Sequence, residues 1–291
     1  MPEQYAEIRW QSPDGLRLYS RVYAGPTAGA PAVLCLHGLT RNSRDFGDLA
    51  PHLQDRYRVI VPDLRGRGLS ARDPQIQNYH PTVYVQDILA LLGMLGAERA
   101  AVVGTSLGGM LAMMLGFSLP ARIAGMVLND VGPEIDAVGL ERIKQYAGRL
   151  PPARTWNVAV EQTRLMFGDA WPDLGEDRWR DLARRGFRED AAGIVEVDSD
   201  PGIGAALRAA PAAAPDLWPL WQALRNIPTL AIRGARSDIL SAAVFARMKR
   251  ENPSLEQLEV ANRGHVPLLD EPECIAALDG FLSRILPAPP A

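Results

Sequence analysis

The stretch VVGTSLGGM, Val102 to Met110, decides how this chain is read. An apolar pair runs into Gly104, then Ser106 stands between that glycine and the pair Gly108-Gly109. A sharp turn from a strand into a helix needs this pattern, because side chains two residues before and two after the turn would collide. Such a turn lifts the Ser106 hydroxyl clear of the sheet and leaves the Leu107 N–H at a helix N-terminus, facing any negative charge that develops there. This is the G-x-S-x-G nucleophile elbow, whose confirming context is a preceding strand and a following helix. The competing reading of Ser106 is an ordinary helix N-cap.

Outward from this stretch, short apolar runs recur, each closed by Gly, Asp or Ser: PAVLCLHG, RVIVPD, RAAVVGTS, IAGMVLND and PTLAIRGA. They suit strands of a parallel sheet covered on both faces. Between them lie helical patterns, HPTVYVQDILALLGMLGA and SLGGMLAMMLGFSLP among them. Before them, AEIRWQSPDGLRLYSRVYAG alternates on both sides of Asp14-Gly15 and reads as a β-hairpin. After PTLAIRGA come a helix, SAAVFARMKREN, a strand, LEQLEVAN, and a closing helix, EPECIAALDGFLSRIL. The expected fold is α/β: a doubly wound, mostly parallel eight-stranded sheet flanked by helices. The alternation fails from about Gly132 to Ala223, where five of the six tryptophans cluster, and RAAPAAAPDLWP reads as a linker back to the core. The expected organisation is therefore a core over 1–131, an inserted and mainly helical cap over 132–223, and the core resumed over 224–291.

A serine nucleophile needs a base, and the base needs an orienting acid. Among the four histidines, His52 reads as a surface residue and His80, before Pro81, as a turn residue. His265 lies in ANRGHVPLLDEPE, between the last strand and the last helix, at the carboxyl edge where sites of this architecture form. It is the expected base. Asp238, in IRGARSDIL, follows a strand and completes the chain order Ser106, Asp238, His265 known for this motif. Asp238 is the expected acid, and Asp130, in VLNDVGPE, is its competitor at the end of the preceding strand. The second oxyanion donor is expected at the Leu39 N–H, where Gly38 lets the backbone approach, with His37 shaping the loop.

The bulk composition excludes other classes. The net charge is −3, and no Lys/Arg block runs long enough to follow a nucleic-acid backbone. No window is apolar enough to span a membrane, and the opening residues carry no signal-like run, so a cytoplasmic protein is expected. The two cysteines, Cys35 and Cys274, form no CxxC pair, no Cys/His cluster has zinc spacing, and Cys35 reads as a buried strand residue. No metal or cofactor is expected.

Taken together, LHGLTRN, VPDLRGRGLS, GTSLGG, GARSD and RGHVPLLDEP resemble the α/β-hydrolase superfamily over nearly the whole chain. The resemblance implies a helical cap after the sixth strand and a structural loop role for Asp63, Arg65 and Gly66. The fold hosts esterases, lactonases, amidases and C–C hydrolases, whereas dehalogenases and epoxide hydrolases use Asp at the position of Ser106. The expected substrate is a small to medium carboxylic ester, cleaved through an acyl-enzyme. The alternative is an acidic ring-fission diketone, whose carboxylate needs a cation in the pocket, or else a lactone or an amide. Arg41 and Asn42 follow the oxyanion loop and are candidates to face the substrate, with Arg154 and Arg164 further along. Trp156 and Met166 are candidates for an apolar roof, together with Trp171.

Overall fold

A computed structural model describes residues 5–210 and 216–287, so the middle of the linker read in RAAPAAAPDLWP lies outside the described residues. Strands β1 (Ala6–Gln11) and β2 (Arg17–Tyr23) form the hairpin expected around Asp14-Gly15. Then follow β3 (Ala32–Leu36), α1 (Leu49–Leu53), β4 (Arg58–Asp63), α2 (Pro81–Met94), β5 (Ala100–Thr105), α3 (Leu107–Ser118) and β6 (Ile123–Asn129). The inserted segment carries α4 (Ala137–Tyr146), α5 (Trp156–Phe167), α6 (Glu176–Gly186), β7 (Phe187–Glu189), β8 (Val195–Val197), α7 (Pro201–Ala209) and α8 (Trp218–Ala223). The core resumes with β9 (Thr229–Gly234), α9 (Ala242–Glu251), β10 (Glu256–Val260) and α10 (Pro272–Ile285).

The eight-stranded sheet has the order β1-β2-β4-β3-β5-β6-β9-β10; β2 is antiparallel to both neighbours, and every other pairing from β4 to β10 is parallel. The central strands read as unbroken apolar runs because both their faces are covered. Leu34, Leu36, Val102, Met126 and Leu128 point into one core with α2, α3 and α9. Their neighbours Val33, Cys35, Ala101, Val103 and Val127 point into the other with α1 and α10. Each such Val or Leu, fully removed from water, contributes about 1.5–3 kcal/mol. Cys35 and Cys274 are both buried and unpaired, Cys35 within β3 as expected.

Strand β3 lies between β4 and β5, so successive connections leave it in opposite directions. That switch point opens a crevice at the carboxyl ends of β3 and β5. Because Leu36 pairs with Gly104, the loop after β3 and the turn after β5 stand side by side there.

Two features of the insertion differ from the sequence reading. It contains a two-stranded antiparallel ribbon, β7–β8, which is too short to show a period of two. Helix α8, placed inside the 132–223 segment, belongs with the sheet: Trp218 and Trp221 pack in the same core as Leu111 and Leu115 of α3. Tryptophan content alone does not separate a roof from a core helix.

The loop after β4 carries a buried ion cluster. Arg65, 1% exposed, meets both oxygens of Asp87 at 2.8 Å, Asp73 at 2.6 Å and Asp14 at 2.9 Å. The planar guanidinium fork can serve three carboxylates at once. Asp63 accepts from the Ser43 and Leu69 N–H groups, which pins this loop to the segment after β3. Among the described residues, no helix is long and apolar enough to cross a membrane.

Candidate active site

Strand β5 passes into α3 at Ser106, whose φ of 52° and ψ of −115° are strained for a residue with a side chain. The flanking glycines make that turn possible. A Cβ on Gly104 would fall inside the Gly108 carbonyl, and one on Gly108 would fall inside the Leu36 carbonyl of β3. The Ser106 carbonyl accepts from the Gly109 and Met110 N–H groups at 2.9 and 3.1 Å. The Leu107 N–H opens the helix, where no intrahelical acceptor exists.

His265, on the loop after β10, is 6% exposed. Its Nε2 stands 2.9 Å from Ser106 Oγ, and its Nδ1 stands 2.7 Å from Asp130 Oδ2. Asp130 is fully buried just past β6. It accepts from the Gly234 N–H at 2.8 Å and from the Ser237 hydroxyl at 2.5 Å, so its orientation is fixed from the β9 side.

The expected acid is therefore corrected. Asp238 does not meet His265; it holds Arg142 of α4 through two contacts, 2.6 and 2.9 Å. The physical reason is the tight turn at Ser237. That side chain bonds Asp130 and also accepts from the Ile239 and Leu240 N–H groups, which leaves Asp238 turned toward α4. Burial raises the Asp238 carboxyl, but the hydrogen bonds and charge of Arg142 outweigh it and hold the group below the usual carboxylate value.

The loop after β3 is held by two buried side chains. His37 Nε2 accepts from the Leu64 N–H at 3.1 Å, so its Nδ1 carries the proton and donates to the Gly38 carbonyl at 2.8 Å. That carbonyl and the Leu39 N–H share one trans peptide and point in opposite directions. The Leu39 N–H thus points away from His37. Burial pushes the His37 imidazole down to about 4, which keeps it neutral in this role. Arg67 Nε donates to the Leu39 carbonyl at 2.8 Å and fixes the next peptide.

A cavity of about 70 Å³ reaches Gly38, Leu39, Ser106 and His265, and the insertion covers it with Tyr146, Phe167 and Trp171. Phe167 and Trp171 stack with ring centres 4.8 Å apart, and Trp171 Nε1 donates to the Val266 carbonyl at 2.7 Å beside His265. Of the expected roof residues Trp171 lines the cavity, whereas Trp156 and Met166 do not. Trp156 bonds Glu189 in a separate small core, and Met166 lines a neighbouring cavity. Met166 precedes Phe167 on α5, and one residue along a helix turns the side chain by about 100°. The sequence signal that could have found Tyr146 and Phe167 is the last turn of each amphipathic helix.

Arg41 lines the cavity but is engaged: its Nε and Nη2 meet Asp45 at 2.9 and 2.6 Å. Asn42 is buried away from the cavity, where it caps the Arg44 N–H and donates to the Arg185 carbonyl. Arg164 pairs with Glu176, and Arg154 donates its backbone N–H to Val195; neither lines the cavity. Among the described residues, no group of three His, Cys, Asp or Glu is placed to hold a metal ion.

Comparison with known proteins agrees with this architecture. The 3-hydroxybutyrate-oligomer hydrolase of Cupriavidus necator is 30% identical over 284 residues, covering 94% of this chain and 95% of that protein. The 2-(acetamidomethylene)succinate hydrolase of Mesorhizobium japonicum is 27% identical over 253 residues, covering 87% and 88%. The crystal structure of an alpha/beta hydrolase from Novosphingobium aromaticivorans is 44% identical, covers 97% of this chain and 99% of that one, and superposes with a TM-score of 0.91. The model of the alpha/beta hydrolase family matches residues 33–277, from the middle of β3 into α10, and the chain belongs to that family.

Proposed function

We propose that this enzyme hydrolyses carboxylic esters of small to medium size through an acyl-enzyme, with Ser106, His265 and Asp130 as its triad. The observation that carries this reading is the unbroken hydrogen-bonded chain from Ser106 Oγ through His265 to Asp130. Asp130 keeps the proton on Nδ1, so Nε2 is free to take the Ser106 proton as Oγ attacks the ester carbonyl. The oxyanion is held by the Leu107 and Leu39 N–H groups. His265 then gives its proton to the departing alkoxide, which leaves as the alcohol. Water repeats the cycle on the acyl group: His265 takes its proton, and the carboxylic acid leaves as Ser106 regains its hydrogen.

The relatives favour ester chemistry without fixing it. The relative from Cupriavidus necator is named for an oligomer whose units are joined by ester bonds. The relative from Mesorhizobium japonicum is named for a succinate, an acidic substrate. Here the two arginines that line the cavity are already paired, Arg41 with Asp45 and Arg185 with Asp48 and Asp181. A paired cation offers little to a second anion, which favours a neutral group at the scissile bond. The test is a fluorophosphonate probe with a panel of p-nitrophenyl esters. The probe mass should appear on the peptide holding Ser106, and ester turnover should vanish in Ser106→Ala. Full labelling or turnover in Ser106→Ala would overturn the proposal.

A further inference from the structure

Arg67 is a buried cation that takes no part in the triad. It is 1% exposed, and no carboxylate pairs with it among the described residues. The carboxylates on neighbouring segments are engaged elsewhere: Asp73 and Asp87 on Arg65, Asp198 on Arg44, and Asp200 on the Tyr79 hydroxyl. Its Nε donates to the Leu39 carbonyl at 2.8 Å, and its Nη1 to the Arg65 carbonyl at 2.7 Å and the Tyr84 hydroxyl at 2.9 Å. Nη2 is buried with no hydrogen-bond partner. The Tyr84 and Tyr79 rings, 4.8 and 5.8 Å from the guanidinium, supply ring faces in place of a counter-charge. A charge held out of water without an opposite charge is costly. A mere staple for the loop needs no charge, since a neutral donor would hold the Leu39 carbonyl without that cost.

The charge sits behind the loop after β3. Burial is the main cause that pushes the His37 imidazole down, and the Arg67 charge adds to it, so the field of the guanidinium reaches this loop. The Leu39 carbonyl and the Thr40 N–H belong to one trans peptide and point in opposite directions. With the carbonyl drawn to Arg67, the Thr40 N–H points away from it. Thr40 lines the cavity at Ser106, and its N–H meets no acceptor among the described residues.

We propose that Arg67 is a positioning residue for the oxyanion: its unneutralised charge, acting through the Leu39–Thr40 peptide, stabilises the negative oxygen of the tetrahedral intermediate and aims the Thr40 N–H at it as a third donor. This rests on the esterase reading and adds a residue to its machinery. A cation bonded to a peptide carbonyl polarises that peptide and strengthens its N–H as a donor. The charge is in place before the reaction, so it acts without reorganisation. One peptide separates the guanidinium from the oxyanion, roughly 8 Å, and at an effective dielectric constant of about 20 a charge at that range changes a rate by about tenfold or more. A neutral ester carbonyl gains little from it, so the effect falls on kcat. Acylation and deacylation each pass through an oxyanion, so both slow together and KM stays.

The test sets wild type beside Arg67→Gln and Arg67→Met, which remove the charge with different packing in case one variant folds poorly, and Arg67→Lys, which restores it. Turnover of p-nitrophenyl acetate is measured with inhibition by trifluoroacetone. Ser106 Oγ adds to the ketone carbon, the ketone oxygen becomes the oxyanion, and the Ser106 proton passes to His265. Both neutral variants should lose about tenfold or more in kcat, with KM within about twofold of wild type, and Ki for trifluoroacetone should rise about tenfold. The carbon-13 resonance of the labelled ketone carbon should show the adduct oxygen taking up its proton at a pH about one unit higher than in wild type. Arg67→Lys should recover most of each loss. Neutral variants with wild-type kcat and adduct, losses confined to KM, or an Arg67→Lys enzyme no better than Arg67→Met would overturn the proposal. An adduct that forms in a wild type turning over no ester, and that loses its ionisation in Arg67→Met, would defeat the esterase reading while supporting the role of Arg67.

Discussion

Replacing Asp130 by Asn separates the two acidic candidates. In the protein, Asp130 accepts three hydrogen bonds, from the Gly234 N–H, the Ser237 hydroxyl and His265 Nδ1. An asparagine retains one oxygen, which the Gly234 N–H occupies, and turns an NH2 group toward His265. The ring must then present a bare Nδ1, and its proton moves to Nε2, the atom 2.9 Å from Ser106 Oγ. The base is lost although nothing moves. The expected loss in kcat is on the order of 10⁴, about 5 kcal/mol of transition-state stabilisation. Asp238→Asn disturbs a pair whose side chains are 34% and 33% exposed, so solvent screening limits the effect to about 1 kcal/mol of stability. Its kcat should stay within about fivefold of wild type. The assay is steady-state hydrolysis of p-nitrophenyl acetate, with circular dichroism as the folding control. A folded Asp130→Asn enzyme of near-normal rate beside an inactive Asp238→Asn enzyme would refute the reasoning.

Three further outcomes are expected. Gly108→Ala drives a methyl group into the Leu36 carbonyl, and urea unfolding should show a loss of about 3 kcal/mol or more; an unchanged midpoint would remove the steric account of the turn. His37 titrates near 4 in the folded protein and near 6.5 when unfolded, so the unfolded chain takes up its proton first as pH falls and stability drops across that window. Relative to His37→Asn, wild type should lose about 2.5 kcal/mol between pH 7.5 and pH 4.5, and a pH-independent gap between the two would count against a neutral His37. Asp45→Asn frees the Arg41 charge in the cavity wall and should raise kcat/KM for an acidic ester over its neutral match by about tenfold; a ratio that stays put would place Arg41 out of reach of substrate.

The meeting of Ser106 with His265, 2.9 Å apart, was legible in the sequence because each is marked by its setting, glycines around one and the last strand-to-helix loop around the other. The acid was not. Asp130 and Asp238 both follow a strand and precede His265 in chain order, so order alone admits either. What decides is the direction of a side chain at a turn, and that depends on Ser237, whose hydroxyl serves Asp130 and the turn together. Five inner strands of the main sheet were readable because burial on both faces writes continuous apolar runs, and the outer hairpin because its residues alternate around Asp14-Gly15. The ribbon of Phe187–Glu189 and Val195–Val197 was not, since three residues carry no period. In the roof, Trp171 was legible while Phe167 was missed by a single helical step from Met166, and Asn42 was read as facing substrate when its amide is spent on Arg44 and Arg185.

The pairing of Thr105 with Asn129 sets Ser106 and Asp130 at neighbouring strand ends, both encoded before the inserted segment begins. On the proposed triad, the loop that carries Asp238 takes no part in the chemistry and serves as a mooring, with Arg142 bonded to its carboxylate and Gly139 packed on its backbone. Chemistry and mooring are thus written in separate parts of the chain. A chimera that trades the segment between the two halves for a relative's is expected to keep its activity only when it matches the Asp238 anchor and leaves the neighbouring ends of β5 and β6 as they are.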